Sequence, residues 1–366
     1  MLVLLLVRQA AGDVWGTNDA ERVGTFAYDF GAYYEAAHRL VATGSPYQPN
    51  RTLNGPFLAG PKGLYLYSPL PAIAVLPLTA LPFHDAATIY MILQLMVIFA
   101  ICLLMPVSWK VRFAVLAIAS LAPPVEIDLH LGNVSLLVTL GGVIAWRLMD
   151  KPVGAVAIAI SAALRPTIAL VGVWWLLRGH YRLIAWMAMT AIALFLVSLP
   201  FVGLQGWLDY MTVLRNGSQF DAVYRNWALN GQAYANGMPQ PWPALALAGS
   251  FAIAIGAMLI SLRRDRELSY VVTFTATLLA SPLLWDHYMT HLLVPAAFMA
   301  SRGRWYAIVL PMLCILAQPW LPVIAIAGVI APFFAPSRGE PAGSFLDRWP
   351  LNRGQAAPPA TAPGPG

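Results

Sequence analysis

Charge is what this chain has least of. Only 10% of its 366 residues are Asp, Glu, Lys or Arg, whereas a soluble domain carries roughly 25%. Hydrophobic residues make up 59% and mean hydropathy is +0.66, which excludes a water-soluble globule. Cysteine is equally scarce. Cys102 and Cys314 lie in apolar runs, so there is no disulfide framework and no metal-ligand spacing. Two-residue alternation is missing, which excludes a β-barrel, because barrel strands alternate lipid-facing and lumen-facing side chains. The chain also lacks an internal repeat and a glycine-rich nucleotide loop. Its net charge of +6 is scattered over short loops, with no basic stripe of the kind that binds nucleic acid. What remains is an all-α polytopic membrane protein, whose helices satisfy their own backbone groups within lipid.

Apolar segments run at about 87–106, 111–126, 134–148, 152–164, 166–178, 181–202, 242–262, 268–284, 289–300, 304–318 and 321–335. They predict roughly 11–12 helices, several of them shorter than the about 20 residues of a straight crossing. Pro69 to Pro82 is apolar but short and holds four prolines, so it reads as a re-entrant or interfacial helix. Met1 to Val7 is too short to cross, so the first span is read as truncated or its start as misassigned. Residues 1–336 form the membrane domain in this reading, and the Pro/Gly/Ala-rich stretch 337–366 is expected to be a disordered cytoplasmic tail.

Basic residues set the orientation. One set of short loops holds Lys110, Arg112, Arg147, Lys151, Arg178, Arg182, Arg263, Arg264, Arg266, Arg302 and Arg304. The alternate set includes the two long loops, yet holds only seven basic residues beyond Arg8. The first set is therefore cytoplasmic. The second collects outside, at the cell-membrane exterior: residues 8–86, 127–133, the turn at Arg165, the loop 203–241 and Trp285 to His291. Polar groups far apart in the chain thus share one membrane face.

Five stretches on that face carry candidate chemistry. YDFGAYYEAAHRLVATGSPY, Tyr28 to Tyr47, places Phe30, Tyr33, Tyr34, Ala37, Leu40 and Val41 on one helical stripe. Gly44 stops this helix, and Asp29 stands where a carboxylate can cap its first N–H groups. Arg165 lies between two apolar runs with no other charge nearby. A cation there is a functional candidate, and its fork suits a phosphate; the bland alternative is an arginine reaching for headgroups. SPLLWDHYMTH gathers Trp285, Asp286, His287 and His291 in one short turn. The two histidines are four apart, as on one helix face, but no third metal ligand accompanies them. PPVEIDLHLGNVS forms a compact polar loop with Glu126, Asp128, His130 and Asn133. The 203–241 loop, with Trp242 directly after it, adds Trp207, Tyr210, Tyr224, Trp227 and Tyr234, aromatics which suit either a sugar or a membrane interface.

Taken together, DFGAYYEAAHRLVATGSPY, LYLYSPLPAIAVLPL, LGNVSLLVTL, AALRPTIALVGVWWLLRGHYR, the Gly206-Trp207…Tyr210 element and ASPLLWDHYMTHLLVP resemble glycosyltransferase family 87 in the same order. The likeness covers roughly residues 25 to 300. It implies a GT-C-type helical bundle that moves one sugar, typically mannose, from a polyprenyl phosphate to a lipid-linked or glycan acceptor outside the cytoplasm. It also implies that Asp29 is the catalytic base, that Arg165 keeps the charge of a lysine common at its position, and that His287 matches the histidine after Trp. The family often has two adjacent histidines where this chain reads His287-Tyr288, and His291 is the candidate for the second role. Tyr33, Tyr34, Tyr67, Asn133 and Trp285, the remaining members of these motifs, are candidates for contacting substrate.

The expected chemistry is a single displacement with inversion, needing no metal and no cofactor. A phosphodiester donor brings its own leaving group; the enzyme takes a proton from the acceptor hydroxyl and neutralises the departing phosphate. An N-capping Asp29 is expected to be held ionised and weakly basic. The expected partners are the polyprenyl-phosphate sugar, the acceptor and membrane lipids, without nucleic acid. The alternative is a transporter or lipid flippase, which repeated halves and mid-membrane charges would favour.

Overall fold

The computed structural model describes residues 26–54, 62–216, 226–316 and 320–336. The expectations for Met1 to Val7, Tyr224 and the tail from residue 337 lie outside those residues. The described chain is helical with no strand, an all-α membrane protein as its composition predicts.

The helix α1, Tyr28–Thr43, buries Phe30, Tyr33, Tyr34, Ala37 and Leu40 along its apolar stripe. Val41, placed on the same stripe by its spacing, is instead 73% exposed, because the last turn of this helix, residues 41–44, is exposed on every side. Gly44 ends α1 in the left-handed conformation (φ 76°), its N–H returning to the Leu40 carbonyl. A π-helical turn, Pro49–Leu53, follows, and further on α2, Pro69–Val75, tightens into a 3₁₀ turn, Leu76–Ala80, under its proline load. Its length matches the short apolar helix predicted there.

Next come α3, Phe83–Leu104, α4, Trp109–Ala119, and α5, Pro123–Leu131. Helices α4 and α5 are bent by 62° at the intervening break, where Pro123 and Pro124 cannot continue the preceding helix. The polar stretch 126–133, expected as a loop, is therefore mostly helix α5. It ends at Gly132 (φ 66°). A Cβ there would sit 2.8 Å from Phe30 Cβ, so glycine is needed both for the turn and for the close approach of α1.

The chain continues as α6, Ser135–Arg147, α7, Pro152–Leu164, a 3₁₀ turn Pro166–Ala169, and α8, Leu170–Leu177. Helix α9, Tyr181–Asn216, is interrupted at Gly203 (φ 59°, ψ −173°). At about 1.5 Å per residue, the portion before Gly203 already spans the ~30 Å hydrocarbon core. This corrects the 203–241 loop: residues 204–216, with Trp207 and Tyr210, are helical, and α10, Leu229–Ala235, follows. The bundle closes with α11, Trp242–Ser261, α12, Arg266–Ala276, a 3₁₀ turn Asp286–Leu292, α13, Leu293–Ser301, a 3₁₀ segment Trp305–Leu316, and α14, Leu321–Ile330.

Three helices (α3, α9 and α11) are long and apolar enough to cross a membrane, or four spans if α4 and α5 count as one. The other apolar segments are short or broken. Helix α9 presents Ile192, Leu196, Val197 and Phe201 outward, as a lipid-facing helix must. Helices α12 and α13 are instead enclosed on all sides and form the centre of the core.

The two sets of loops separate into two clusters. In the basic set, Arg178 donates to the Leu262 and Arg264 carbonyls, Arg266 pairs with Asp150, and Arg302 pairs with Asp265 and Glu267. In the other set, the Ala27 N–H donates to the His130 carbonyl, Ser68 Oγ to the Ala163 carbonyl, and the Trp227 N–H to the Leu284 carbonyl.

Candidate active site

Asp29 does not cap its helix. The residue before α1 is Ala27, in the left-handed conformation (φ 47°), and no side chain caps the helix start. Asp29 stands within the first turn, and its Oδ2 accepts a hydrogen bond from Asn133 Nδ2 at 2.8 Å. The expectation of a weakly basic carboxyl fails with the cap. Burial pushes Asp29 from 3.8 up to about 6, and the Asn133 hydrogen bond and the Arg165 charge only partly oppose this. The residue keeps some accessible surface, so a substrate can reach a carboxyl otherwise enclosed by protein.

Asn133 is at this position because Gly132 turns the chain out of α5 and into α6. Its Nδ2 also donates to the Tyr67 hydroxyl at 2.9 Å. Its Oδ1 accepts from the Ser135 N–H at 3.0 Å and from Ser135 Oγ at 2.8 Å, which caps α6. Asp128 completes that helix start: its Oδ2 accepts from the Leu136 N–H at 3.1 Å.

Pro166 determines where Arg165 sits. A residue before proline is disfavoured in the helical region, so α7 stops at Leu164 and Arg165 is extended (φ −144°, ψ 104°). The side chain, only 6% exposed, turns inward. Its Nη2 donates to Ser135 Oγ at 2.6 Å. Its guanidinium carbon lies 3.3 Å from the centroid of the Tyr288 ring, a cation–π stack that fixes the plane of the fork. Nη1 is buried with no partner.

Arg165, Ser135, Asn133 and Asp29 therefore form one hydrogen-bonded series across three segments of the fold. Every donor in it points from the cation toward the carboxylate. Asp29 and Tyr67 are its half-buried edge; Asn133, Ser135 and Arg165 are its buried floor.

The other candidates fall into place unevenly. Tyr33 packs edge-on against Tyr67, centroids 4.9 Å apart. Tyr34 is turned away: its hydroxyl donates to the Leu81 carbonyl and its ring lies under Lys62. Trp285, half-buried, contacts the rings of His287 and Tyr288. His287 and His291 do not share a helix face, because Asp286–Leu292 is a 3₁₀ turn of about three residues per turn. His287 meets Tyr288 edge to face, centroids 4.9 Å apart, with Nε2 buried and without a partner. Burial, helped by Arg165, holds its pKa well below 6.5, so the ring is neutral. His291 lies against Phe274, and neither ring nitrogen has a partner. Among the described residues no group of three or more His, Cys, Asp or Glu is arranged to hold a metal.

Ser135 and Tyr288 were missed by sequence reasoning. A Ser two residues after Asn at a helix start was a legible capping signal; nothing local marked Tyr288 as the ring under Arg165. Chemically, the series offers a carboxylate poised near neutral pH and, one network away, a desolvated guanidinium with a free donor. Such a site can take up a proton and hold an anion at once.

The family model described as Glycosyltransferase family 87 matches residues 65–282. That stretch contains Tyr67, Asn133 and Arg165, while Asp29, Tyr33, Tyr34, Trp285, His287 and His291 flank it. No curated protein and no solved structure matches the chain.

Proposed function

The chain belongs to glycosyltransferase family 87, and from that premise we propose that it transfers a sugar, mannose in this reading, from a polyprenyl phosphate to a glycolipid or glycan acceptor on the extracytoplasmic face of the cell membrane. The single observation that carries the proposal is the series linking Asp29 to Arg165 through Asn133 and Ser135.

The acceptor hydroxyl oxygen attacks the anomeric carbon on the face opposite the phosphate. Its proton passes to the Asp29 carboxylate. The bond from the anomeric carbon to the phosphate oxygen breaks, and its electron pair leaves with the polyprenyl phosphate. One displacement inverts the anomeric centre. A base with a pKa near the working pH is the efficient one, and burial tunes Asp29 in that direction. Arg165 Nη1, with the neutral His287 as a second donor, meets the charge that grows on the leaving phosphate; preorganised donors in a dry site act without reorganising. The one charge of a phosphodiester is balanced by the one guanidinium. His291, close enough to feel the Arg165 charge, is the reserve donor. Tyr67, Tyr33 and Trp285 offer faces and edges to the sugar. Tyr34 supports the fold of this region and is not assigned a substrate contact. The exterior location rests on the basic loops clustering away from this network, as the positive-inside rule requires.

The test uses membranes containing the full chain, supplied with labelled polyprenyl-phosphate mannose. Wild-type membranes transfer label to an endogenous glycolipid. Asp29→Asn abolishes transfer while donor binding is retained; a variant that still transfers at the wild-type rate removes Asp29 from the mechanism. A transporter or flippase would be nearly indifferent to the same change.

A further inference from the structure

Resting on that reading of the site, we infer that Ser135 is a positioning residue that couples the phosphate-binding guanidinium to the base, holding Arg165 with Nη1 free and passing the polarity of that cation through Asn133 to Asp29. The hydroxyl is fully buried, accepts from Arg165 Nη2 and donates to Asn133 Oδ1; the buried Asp128 carboxyl, which also reaches Ser135 and feels both Arg165 and Asp29, is the other titratable group at this point. Of the two terminal nitrogens of Arg165, one is thereby anchored and the other is left without a partner in a buried position. Tyr288 fixes the plane of the guanidinium, and Ser135 fixes its rotation within that plane. Together they determine which N–H points into the site.

The direction of the hydrogen bonds adds a second consequence. A donor given by Ser135 to Asn133 Oδ1 polarises the amide, so that Nδ2 donates more strongly to Asp29. While Arg165 is unoccupied, the full cation acts along this series and offsets part of the rise that burial imposes on the Asp29 carboxyl. When a phosphate sits on Nη1, and more so as it takes up the charge of the broken bond, the cation is neutralised. The series then relaxes its hold on Asp29, whose affinity for a proton rises as the acceptor hydroxyl must give one up. Donor occupancy therefore strengthens the base.

Ser135 itself touches neither sugar nor phosphate in this scheme, so its effects are separable from those of the groups that do. In membranes containing the full chain, with labelled polyprenyl-phosphate mannose as the probe, Ser135→Ala should raise the donor KM by about tenfold, the size expected for loss of a hydrogen bond to a charged group. It should also move the acid limb of the pH–rate profile to higher pH, because Asp29 loses part of the donor that keeps it ionised. Ser135→Thr, which keeps the hydroxyl, should restore both. A merely structural serine would lower the amount of folded protein and leave donor KM and acid limb where they were; that result overturns the inference. Its failure is distinguishable from failure of the functional reading. If Asp29→Asn abolishes transfer but Ser135→Ala is wild type in both readouts, only the coupling is wrong; if Asp29→Asn transfers normally, the reading beneath it falls.

Discussion

The pH dependence of transfer tests the Asp29 environment most directly. A base must be ionised to accept a proton. With its pKa raised from 3.8 to about 6, Asp29 is about 90% ionised at pH 7 and about 10% at pH 5, so kcat/KM for the donor, which follows the ligand-free enzyme, should fall about tenfold between them. An aspartate left at its ordinary value would stay ionised throughout, and the profile would be flat. The same shift has a stability consequence of definite sign. Since the folded-state value exceeds the unfolded one, the fold prefers the protonated form. The penalty is absent below about pH 4, grows through the window between 3.8 and about 6, and is complete above it. Two units at ~1.4 kcal/mol each bound the penalty at about 3 kcal/mol. The accessible edge of the residue reduces this to the order of 1–3 kcal/mol. Asp29→Asn should therefore raise the thermal unfolding midpoint at pH 7.5 and leave it unchanged at pH 4, while transfer is lost. Initial rates from pH 4.5 to 8, and unfolding of the purified protein in detergent at the two pH values, give both readouts. A rate that stays flat down to pH 4.5, or a variant less stable than wild type at pH 7.5, would refute a carboxyl destabilised by burial.

Two substitutions probe the frame around that carboxyl. A Cβ on Gly63 would fall 3.0 Å from the Tyr28 carbonyl and 3.2 Å from Asp29 Oδ1; Gly63→Ala should cut the transfer rate several-fold, with a stability loss of about 1–3 kcal/mol. Single-turnover rates set beside unfolding midpoints check this. At the opposite cluster, Arg302→Ala removes ion pairs to Asp265 and Glu267. It should destabilise the protein by the order of 2–4 kcal/mol while the rate per folded molecule stays near wild type, as measured by unfolding and by transfer normalised to folded protein.

Fold class was readable because lipid imposes a simple rule: long uncharged runs must be helices, and their order followed the apolar segments from 87–106 to 321–335. The helix of Asp29 was readable from its stripe, and its end from Gly44. Arg165 stood out as a charge with no local reason to exist. Boundaries failed where local signals compete. The 203–241 stretch looks like a loop because Gly203 breaks the helix, yet residues 204–216 regain it. His287 and His291 looked co-facial because four-residue spacing assumes an α-helix, and the chain forms a 3₁₀ turn there.

Composition and charge distribution alone thus determined that this chain lives in a membrane, that it is helical, and that its sparse polar residues collect away from its basic loops. Those properties are sums over many residues, so no single contact can change them. Only the tertiary structure decided that Asn133 and Ser135 join Asp29 to Arg165, that Tyr288 lies under the guanidinium, and that the Asp29 carboxyl is raised and not lowered. Each of these depends on which side chains meet across segments well separated in the chain, 30 residues for Ser135 and Arg165 and 104 for Asp29 and Asn133. Burial, the largest influence on that carboxyl, exists only once those segments have packed.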